Sequence, residues 1–345
     1  MTQTDNLRIA KTRPLISPAV LEEEIPLETS ASEFIAASRK TVRDILTGTD
    51  ERLLMIVGPC SIHDTEAATE FATRLKQVAD TVSEAIFVVM RVYFEKPRTI
   101  VGWKGLLNDP DLDGSYRINK GLRLARRLLA DVADIGLPAG TEFLDTTFGQ
   151  YYTDLISWGA IGARTAESQI HRQLASGLSM PVGIKNRTDG NVQVAIDAIL
   201  AANHPHLFPS LTKEGAPAIL ETRGNPDCHL VLRGGDEPNH SKADIVGVLE
   251  ALQSADLPQI VMVDCSHGNS QNDPSRQPAI AHETWRLRRQ LPGIRALMIE
   301  SHLLAGRQDL GGKLTYGISV TDACLGFEDT ETLLQELAAS PKEDL

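Results

Sequence analysis

A chain of 345 residues is too long for one ordinary small domain, and fits either two domains or one large α/β barrel with extensions. Hydrophobic residues at 42% are ample for a core. The 34 Lys+Arg against 46 Asp+Glu give a net charge of −12, which disfavours non-specific binding to nucleic acid or to an anionic membrane. Any anionic ligand must be held by a local group of Arg and Lys. Cys60, Cys228, Cys265 and Cys324 are too scattered for a disulfide framework. The N-terminus lacks the apolar core of a signal peptide, and no run approaches the roughly 18 apolar residues of a membrane helix. A cytoplasmic location is the expectation.

Residues 1–48 read as an arm. Pro14, Pro18 and Pro26 interrupt its first half, and a helix is expected over 30–46. From 49 to 345 short apolar runs recur, at 53–57, 86–91, 139–143, 160–163, 181–185, 229–233, 260–264 and 296–300. None has the strict alternation of a half-wet strand, which suits parallel strands buried on both faces. Helical patterns fill the gaps at 65–79, 117–135, 148–158, 167–176, 191–202, 241–254 and 279–290. Eight strands with intervening helices predict a (β/α)₈ barrel. A doubly wound open sheet is the alternative, but no Gly-x-Gly-x-x-Gly follows the first strand. Two gaps are long: a polar loop over 93–115, and a stretch at about 204–227 that reads as an inserted hairpin turning at Lys213-Glu214-Gly215-Ala216.

Just past the expected strands lie Cys60, Arg91, Glu142, Arg164, Lys185, Arg233, His267 and Glu300. In a parallel barrel these ends share the face that carries the active site. Arg91, Lys96, Arg98, Arg164, Lys185 and Arg233 would repel one another there unless anions joined them. Each alone is more often a solvated surface charge. A second set, Cys60, His267, Glu300 and Asp322, mixes sulfur, nitrogen and carboxylate oxygen, and suits Mn²⁺, Fe²⁺, Co²⁺ or Zn²⁺ better than Mg²⁺ or Ca²⁺. Taken singly, Cys60 is more often a small buried hydrophobe than a ligand.

Long motifs carry a family resemblance. Gly58-Pro59-Cys60-Ser61, Met90-Arg91-Val92-Tyr93-Phe94-Glu95-Lys96-Pro97-Arg98-Thr99, Gly162-Ala163-Arg164-Thr165, Leu232-Arg233-Gly234-Gly235, Asp264-Cys265-Ser266-His267-Gly268-Asn269 and Ser319-Val320-Thr321-Asp322-Ala323-Cys324 resemble the class I 3-deoxy-D-arabino-heptulosonate 7-phosphate (DAHP) synthases. The similarity runs in order from about residue 30 to 338. It implies a metal-dependent condensation of phosphoenolpyruvate with erythrose 4-phosphate, a transferase reaction that opens the shikimate pathway to the aromatic amino acids. Carried over by position, the ligands of one divalent ion are Cys60, His267, Glu300 and Asp322. Phosphoenolpyruvate falls to Arg91, Lys96, Arg164, Lys185 and Arg233, with Glu142 helping through water. The Lys96-Pro97-Arg98-Thr99 stretch falls to erythrose 4-phosphate. Lys96, Glu142 and His267 are the candidates for moving protons. Cys324 is a possible neighbour of Cys60.

Arg187 stands where many relatives carry Gly, and either adds a cation near the mouth or changes a loop. The resemblance further implies a homodimer or homotetramer inhibited by an aromatic amino acid, with pocket positions Gln150, Ser179, Phe208, Ser210 and Leu220. Ser210 points to phenylalanine or tryptophan, since tyrosine-sensitive members tend to carry Gly there; Gly149 alters the pocket edge. The alternatives are a 3-deoxy-manno-octulosonate 8-phosphate synthase, whose Lys-Ala-Asn-Arg-Ser stretch is absent here, a metal-dependent phosphohydrolase, and a non-catalytic sensor of aromatic metabolites.

Overall fold

The computed structural model describes residues 2–339. The strands are β1 (Leu53–Gly58), β2 (Ile86–Arg91), β3 (Ala139–Glu142), β4 (Trp158–Ile161), β5 (Val182–Lys185), β6 (Leu207–Leu211), β7 (Pro217–Glu221), β8 (Cys228–Leu232), β9 (Val261–Asp264) and β10 (Ile294–Glu300). The helices are α1 (Pro18–Glu24), α2 (Thr29–Thr47), α3 (Thr65–Thr81), α4 (Ile118–Asp134), α5 (Gln169–Gly177), α6 (Gln193–Ala202), α7 (Lys242–Ser254), α8 (His267–Ser270), α9 (Gln277–Leu287) and α10 (Phe327–Ala339). Among the described residues, eight strands close a barrel in the order β1-β10-β9-β8-β5-β4-β3-β2, every pairing parallel. This is the (β/α)₈ fold that the buried runs predict.

Every residue of β1 is buried, as a strand between a filled interior and a helical layer must be. Its side chains alternate: Leu53, Met55 and Val57 join the outer core, while Leu54 and Ile56 join an inner cluster with Val89, Trp158, Val231, Met262 and Met298. Val42, Ile45 and Leu46 of α2 belong to that inner cluster, so this helix plugs the barrel from below. Large and small residues interlock inside. A Cβ on Gly183 would lie 2.5 Å from the Trp158 ring, whose Nε1–H donates to His229 Nε2 at 3.2 Å. α4 buries Leu122, Ala125, Leu128, Leu129 and Val132, one face at helical spacing.

Three local expectations need correction. Residues 148–158 form two 3₁₀ turns, Phe148–Tyr151 and Thr153–Leu155, and β4 begins at Trp158. Arg126 donates to the Tyr151 carbonyl (2.9 Å), and Arg39 to those of Thr153 (2.7 Å) and Ile156 (2.8 Å). Distant guanidiniums thus take carbonyls of this segment, among them that of Tyr151, which a helix would have bonded internally. The proline-broken first half of the arm contains α1, with Ser17 accepting from Val20 N–H and Pro18 in the first turn, where its missing N–H costs nothing. α10 was not expected, although Leu333, Leu334 and Leu337 carry helical spacing and are buried.

β6 and β7 form the inserted antiparallel hairpin, with Phe208 opposite Leu220 and Ser210 opposite Ala218. Gly215 holds φ +83° in its turn, a conformation that side chains disfavour. The arm lies against this hairpin through Ala19 N–H to Lys213 O (2.7 Å).

Candidate active site

The barrel register brings distant residues to one rim. Gly58 pairs with Glu300 between β1 and β10, and β9 ends at Asp264 beside both neighbours. Cys60 lies just beyond β1. Donor atoms of Cys60, Glu300 and Asp322 all lie within 4.8 Å of one another. His267 joins through Glu300, its Nε2 3.5 Å from Oε1. A cavity of about 160 Å³ opens here, lined in part by His267, Glu300, Arg307 and Asp322.

Lys96 and Arg91 set the electrostatics of this cluster. Burial, and then the charge of Glu300, push the Cys60 thiol up to about 11. Lys96 Nζ lies 2.8 Å from Cys60 Sγ and 2.7 Å from Asp322 Oδ2. Burial alone would raise the Asp322 carboxyl, but Lys96 holds it well below the usual carboxylate range. A buried thiol, an imidazole and two carboxylates form a mixed-donor set that fits a thiophilic divalent ion. His267 carries φ +54°, a strained value for a residue with a side chain, and its ring is tethered on the far side. Nδ1 lies 2.9 Å from Asp264 Oδ2 and 2.7 Å from Ser266 Oγ. Nε2 is thereby turned to the cluster.

Asp264 belongs to the Asp264-Cys265-Ser266-His267 motif but has no expected role from the sequence. It is fully buried and also accepts from Lys185 Nζ at 2.8 Å. Burial opposes its charge, yet His267 and Lys185 hold it well below the ordinary carboxylate range. The signal was present in the Asp-x-x-His spacing at the end of an expected strand.

The expected anion-binding residues divide into two groups. Arg91 is buried, with Nη2 on Glu300 Oε1 (2.9 Å) and the Cys60 carbonyl (3.2 Å), and Nε on the Pro59 carbonyl (3.1 Å). Its guanidinium lies over the Tyr93 ring, 3.5 Å from the centroid. Here it orients Glu300 and the Cys60 turn. Arg164 is exposed and Arg233 half-buried. Burial lowers the Arg233 pKa; Asp264 opposes this, and the like charge of Arg164 adds to it. Its Nη1 donates to the adjacent Gly234 carbonyl at 3.3 Å. Arg233 feels the charges of both Arg164 and Asp264, and Lys185 is bonded to Asp264, so these three cations gather as a basic wall beside the donor cluster.

Glu142, at the end of β3, is buried against Gly162, where a Cβ would sit 2.1 Å from its Oε1. The glycine of the Gly162-Ala163-Arg164-Thr165 motif is therefore room for this carboxylate. Arg98 and Thr99 lie in the exposed loop after β2. Arg98 Nε donates to the Trp103 carbonyl (2.7 Å), and Trp103 Nε1 to that of Asp109 (2.8 Å). Arg187 is paired with Asp189 and, at 2.9 Å, with Glu167, so it clasps two loops and adds no free cation to the mouth.

Of the expected inhibitor positions, Phe208 is buried, Ser179 exposed, and Gln150, Ser210 and Leu220 half-buried. Lys213 of the hairpin turn donates to the Gln150 carbonyl (2.5 Å) and pairs with Glu22 of α1 (2.5 Å). Arm, 3₁₀ turn and hairpin therefore meet at one lysine. The four cysteines are free, and Cys60 N–H donates to Cys324 Sγ at 3.4 Å. Among the described residues, no helix is long and apolar enough to cross a membrane.

Known proteins are similar to this chain along nearly its whole length. The chain is 53% identical to the Phe-sensitive phospho-2-dehydro-3-deoxyheptonate aldolase of Escherichia coli strain K12, over 99% of this chain and 98% of that one. It is 50% identical to the Trp-sensitive aldolase of the same strain, over 99% of each. A solved phospho-2-dehydro-3-deoxyheptonate aldolase from Francisella tularensis SCHU S4 superposes with a TM-score of 0.94 at 52% identity, covering 95% of this chain and 97% of that one. The model of the DAHP synthetase I family matches residues 24–335, and the chain belongs to that family.

Proposed function

We propose that this chain condenses phosphoenolpyruvate with erythrose 4-phosphate to DAHP and phosphate. The observation that carries the reading is the pairing, at one barrel mouth, of a thiol–carboxylate donor cluster with a basic wall of Arg164, Lys185 and Arg233. Two phosphates and a carboxylate bring roughly −4 to −5 of charge at neutral pH. That load matches the cations gathered here, offset by the anionic donors.

C3 of phosphoenolpyruvate is a weak carbon nucleophile. It must bond to the aldehyde carbon of erythrose 4-phosphate, whose oxygen takes up a proton; water then adds at C2, and the C2–O bond breaks to release phosphate. Cys60, His267, Glu300 and Asp322 would hold a divalent ion, which would supply Lewis-acid polarisation of the aldehyde. Fixed cations hold two anions in attack geometry that repel each other in water. Arg164, Lys185 and Arg233 take phosphoenolpyruvate, and Arg98 with Thr99 takes the sugar phosphate. The candidates for moving protons at the mouth are Lys96, between Cys60 and Asp322, Glu142, beside Gly162, and His267; the contacts of Lys96 and Glu142 support that reading. The mixed donor set favours Mn²⁺, Fe²⁺, Co²⁺ or Zn²⁺.

The test is to mix both substrates with Mn²⁺ and follow phosphate release and enol loss, with and without chelator. Phosphate release without consumption of the aldehyde favours a phosphohydrolase. No turnover favours a sensor. Acceptance of arabinose 5-phosphate over erythrose 4-phosphate favours the eight-carbon synthase.

Feedback inhibition by phenylalanine or tryptophan, with tyrosine weakest, belongs to the same reading: the relatives include a Phe-sensitive and a Trp-sensitive aldolase, and this chain has an arm resting on an inserted hairpin. Four unpaired cysteines suit a reducing cytoplasm. Leu207 and Ile219, 66% and 74% exposed on one hairpin, support a homodimer or homotetramer.

A further inference from the structure

Three asparagines beyond β5, β8 and β9 take up the backbone of the loop that carries Arg233. Asn186 is fully buried. Its Oδ1 accepts from Arg233 N–H (2.8 Å) and Asn239 Nδ2 (3.3 Å). Its Nδ2 donates to the Gly234 and Arg187 carbonyls, both at 2.9 Å. Asn239 Oδ1 accepts from Gly234 N–H at 2.8 Å. Asn269, also fully buried, accepts from Asn239 N–H (2.8 Å) and donates to the Leu232 (3.1 Å) and Asp264 (2.9 Å) carbonyls.

Around these side chains the backbones touch. A Cβ on Gly234 would lie 2.4 Å from Asn269 N, one on Gly235 2.3 Å from Gly190 N, and one on Gly268 2.7 Å from Gly235 N. The loop after β8 is thus wedged between the loops after β5 and β9, with the hydrogen-bonding groups around Arg233 assigned to the three amides. An asparagine suits each place because it offers donor and acceptor on one short, uncharged group. Aspartate at 186 would turn a second oxygen toward two carbonyls.

We infer that Asn186, Asn239 and Asn269 form a positioning device for the phosphoenolpyruvate half of the site. Asn186 directly follows Lys185, Asn269 follows His267 by two, and Asn186 and Asn239 fix the peptide from which Arg233 projects. The interlock holds one ammonium and one guanidinium at a set spacing, while the Arg98 loop lies outside it.

This inference rests on the proposed condensation, and its test separates the two. The wild-type chain is assayed first with Mn²⁺ and both substrates; absence of turnover there defeats the proposed reaction and with it this inference. With an active wild type, Asn186→Asp and Asn239→Ala are compared by steady-state kinetics, phosphoenolpyruvate binding and thermal melting. The expected result is a KM for phosphoenolpyruvate raised by about tenfold or more, with that for erythrose 4-phosphate little changed. Asn239→Ser, which keeps an acceptor for Gly234 N–H, should recover much of the loss. If Asn186→Asp does not fold, the half-buried Asn239 pair decides. Equal changes in both KM values, or a phosphoenolpyruvate KM within about twofold of wild type, would overturn the inference.

Discussion

Asp264 Oδ2 lies 2.9 Å from His267 Nδ1 and holds the imidazole so that Nε2 faces Glu300. The same carboxylate accepts from Lys185. One buried charge therefore joins His267 of the proposed metal set to Lys185 of the proposed phosphoenolpyruvate set. Asp264→Asn puts an amide against Nδ1 and removes the charge opposing Lys185. Apparent metal affinity should fall by about 10–100-fold, the usual cost of losing such a partner. Chelator titration of the Mn²⁺ enzyme measures it, and unchanged affinity would refute the coupling.

Metal binding should strengthen with pH. Burial and Glu300 keep the metal-free Cys60 thiol protonated up to about 11, so binding must expel its proton. Over the neutral range the apparent association constant should rise by up to about tenfold per pH unit. Cys60→Ser should flatten this dependence, remove most activity and leave phosphoenolpyruvate binding measurable. Wild-type turnover in Cys60→Ser with ordinary metal supply would rule out the ligand role.

Arg98→Ala should raise the KM for erythrose 4-phosphate by roughly 10–150-fold and affect phosphoenolpyruvate little. Arg164→Ala should do the reverse. Initial rates over a grid of both substrates separate the two; equal effects would show that the cations are not divided in this way.

Glu95 is buried, and its carboxyl is pushed up to about 8, chiefly by burial and also by the charges of Asp145 and Glu142, against a backbone bond from Asp145 N–H. A carboxyl raised from 4.5 favours the folded state in its protonated form. Its contribution is complete below the ordinary carboxylate range and is lost as pH rises through about 8. Glu95→Gln mimics the neutral form. Denaturant melts should show a smaller fall in stability between about 4.5 and 8 for this variant than for wild type; parallel curves would contradict the assignment.

Lys213 offers the cleaner test of regulation. Deleting residues 1–26 would strip Leu21 and Ile25 from the core and remove the Ile25 carbonyl bonded by Arg126, so lost inhibition could reflect damage. Lys213→Ala cuts only the Glu22 and Gln150 contacts. It should weaken inhibition by phenylalanine or tryptophan several-fold and leave the uninhibited rate unchanged. Insensitivity of the wild-type chain to all three aromatic amino acids would refute the regulatory reading and leave the hairpin as an oligomer contact.

The barrel and the contents of its mouth were legible in the sequence. Strands buried on both faces leave continuous apolar runs, and in a parallel barrel their ends must share a rim, so Cys60, Glu142, Lys185, His267 and Glu300 could be placed together from order alone. The long motifs carried the family. Partners were not legible, because a local pattern says nothing about groups far away in the chain. Arg39 and Arg126 replace the helix expected over 148–158 by bonding its carbonyls from 114 or 117 and 25 residues away. Arg91 turns to Glu300 across 209 residues, and Asp264 joins Lys185 across 79. The asparagine interlock depends on three strand ends meeting in space. Hydrophobic periodicity determined which segments are strands; burial of polar groups, each needing a partner wherever the fold can supply one, decided how the site is held.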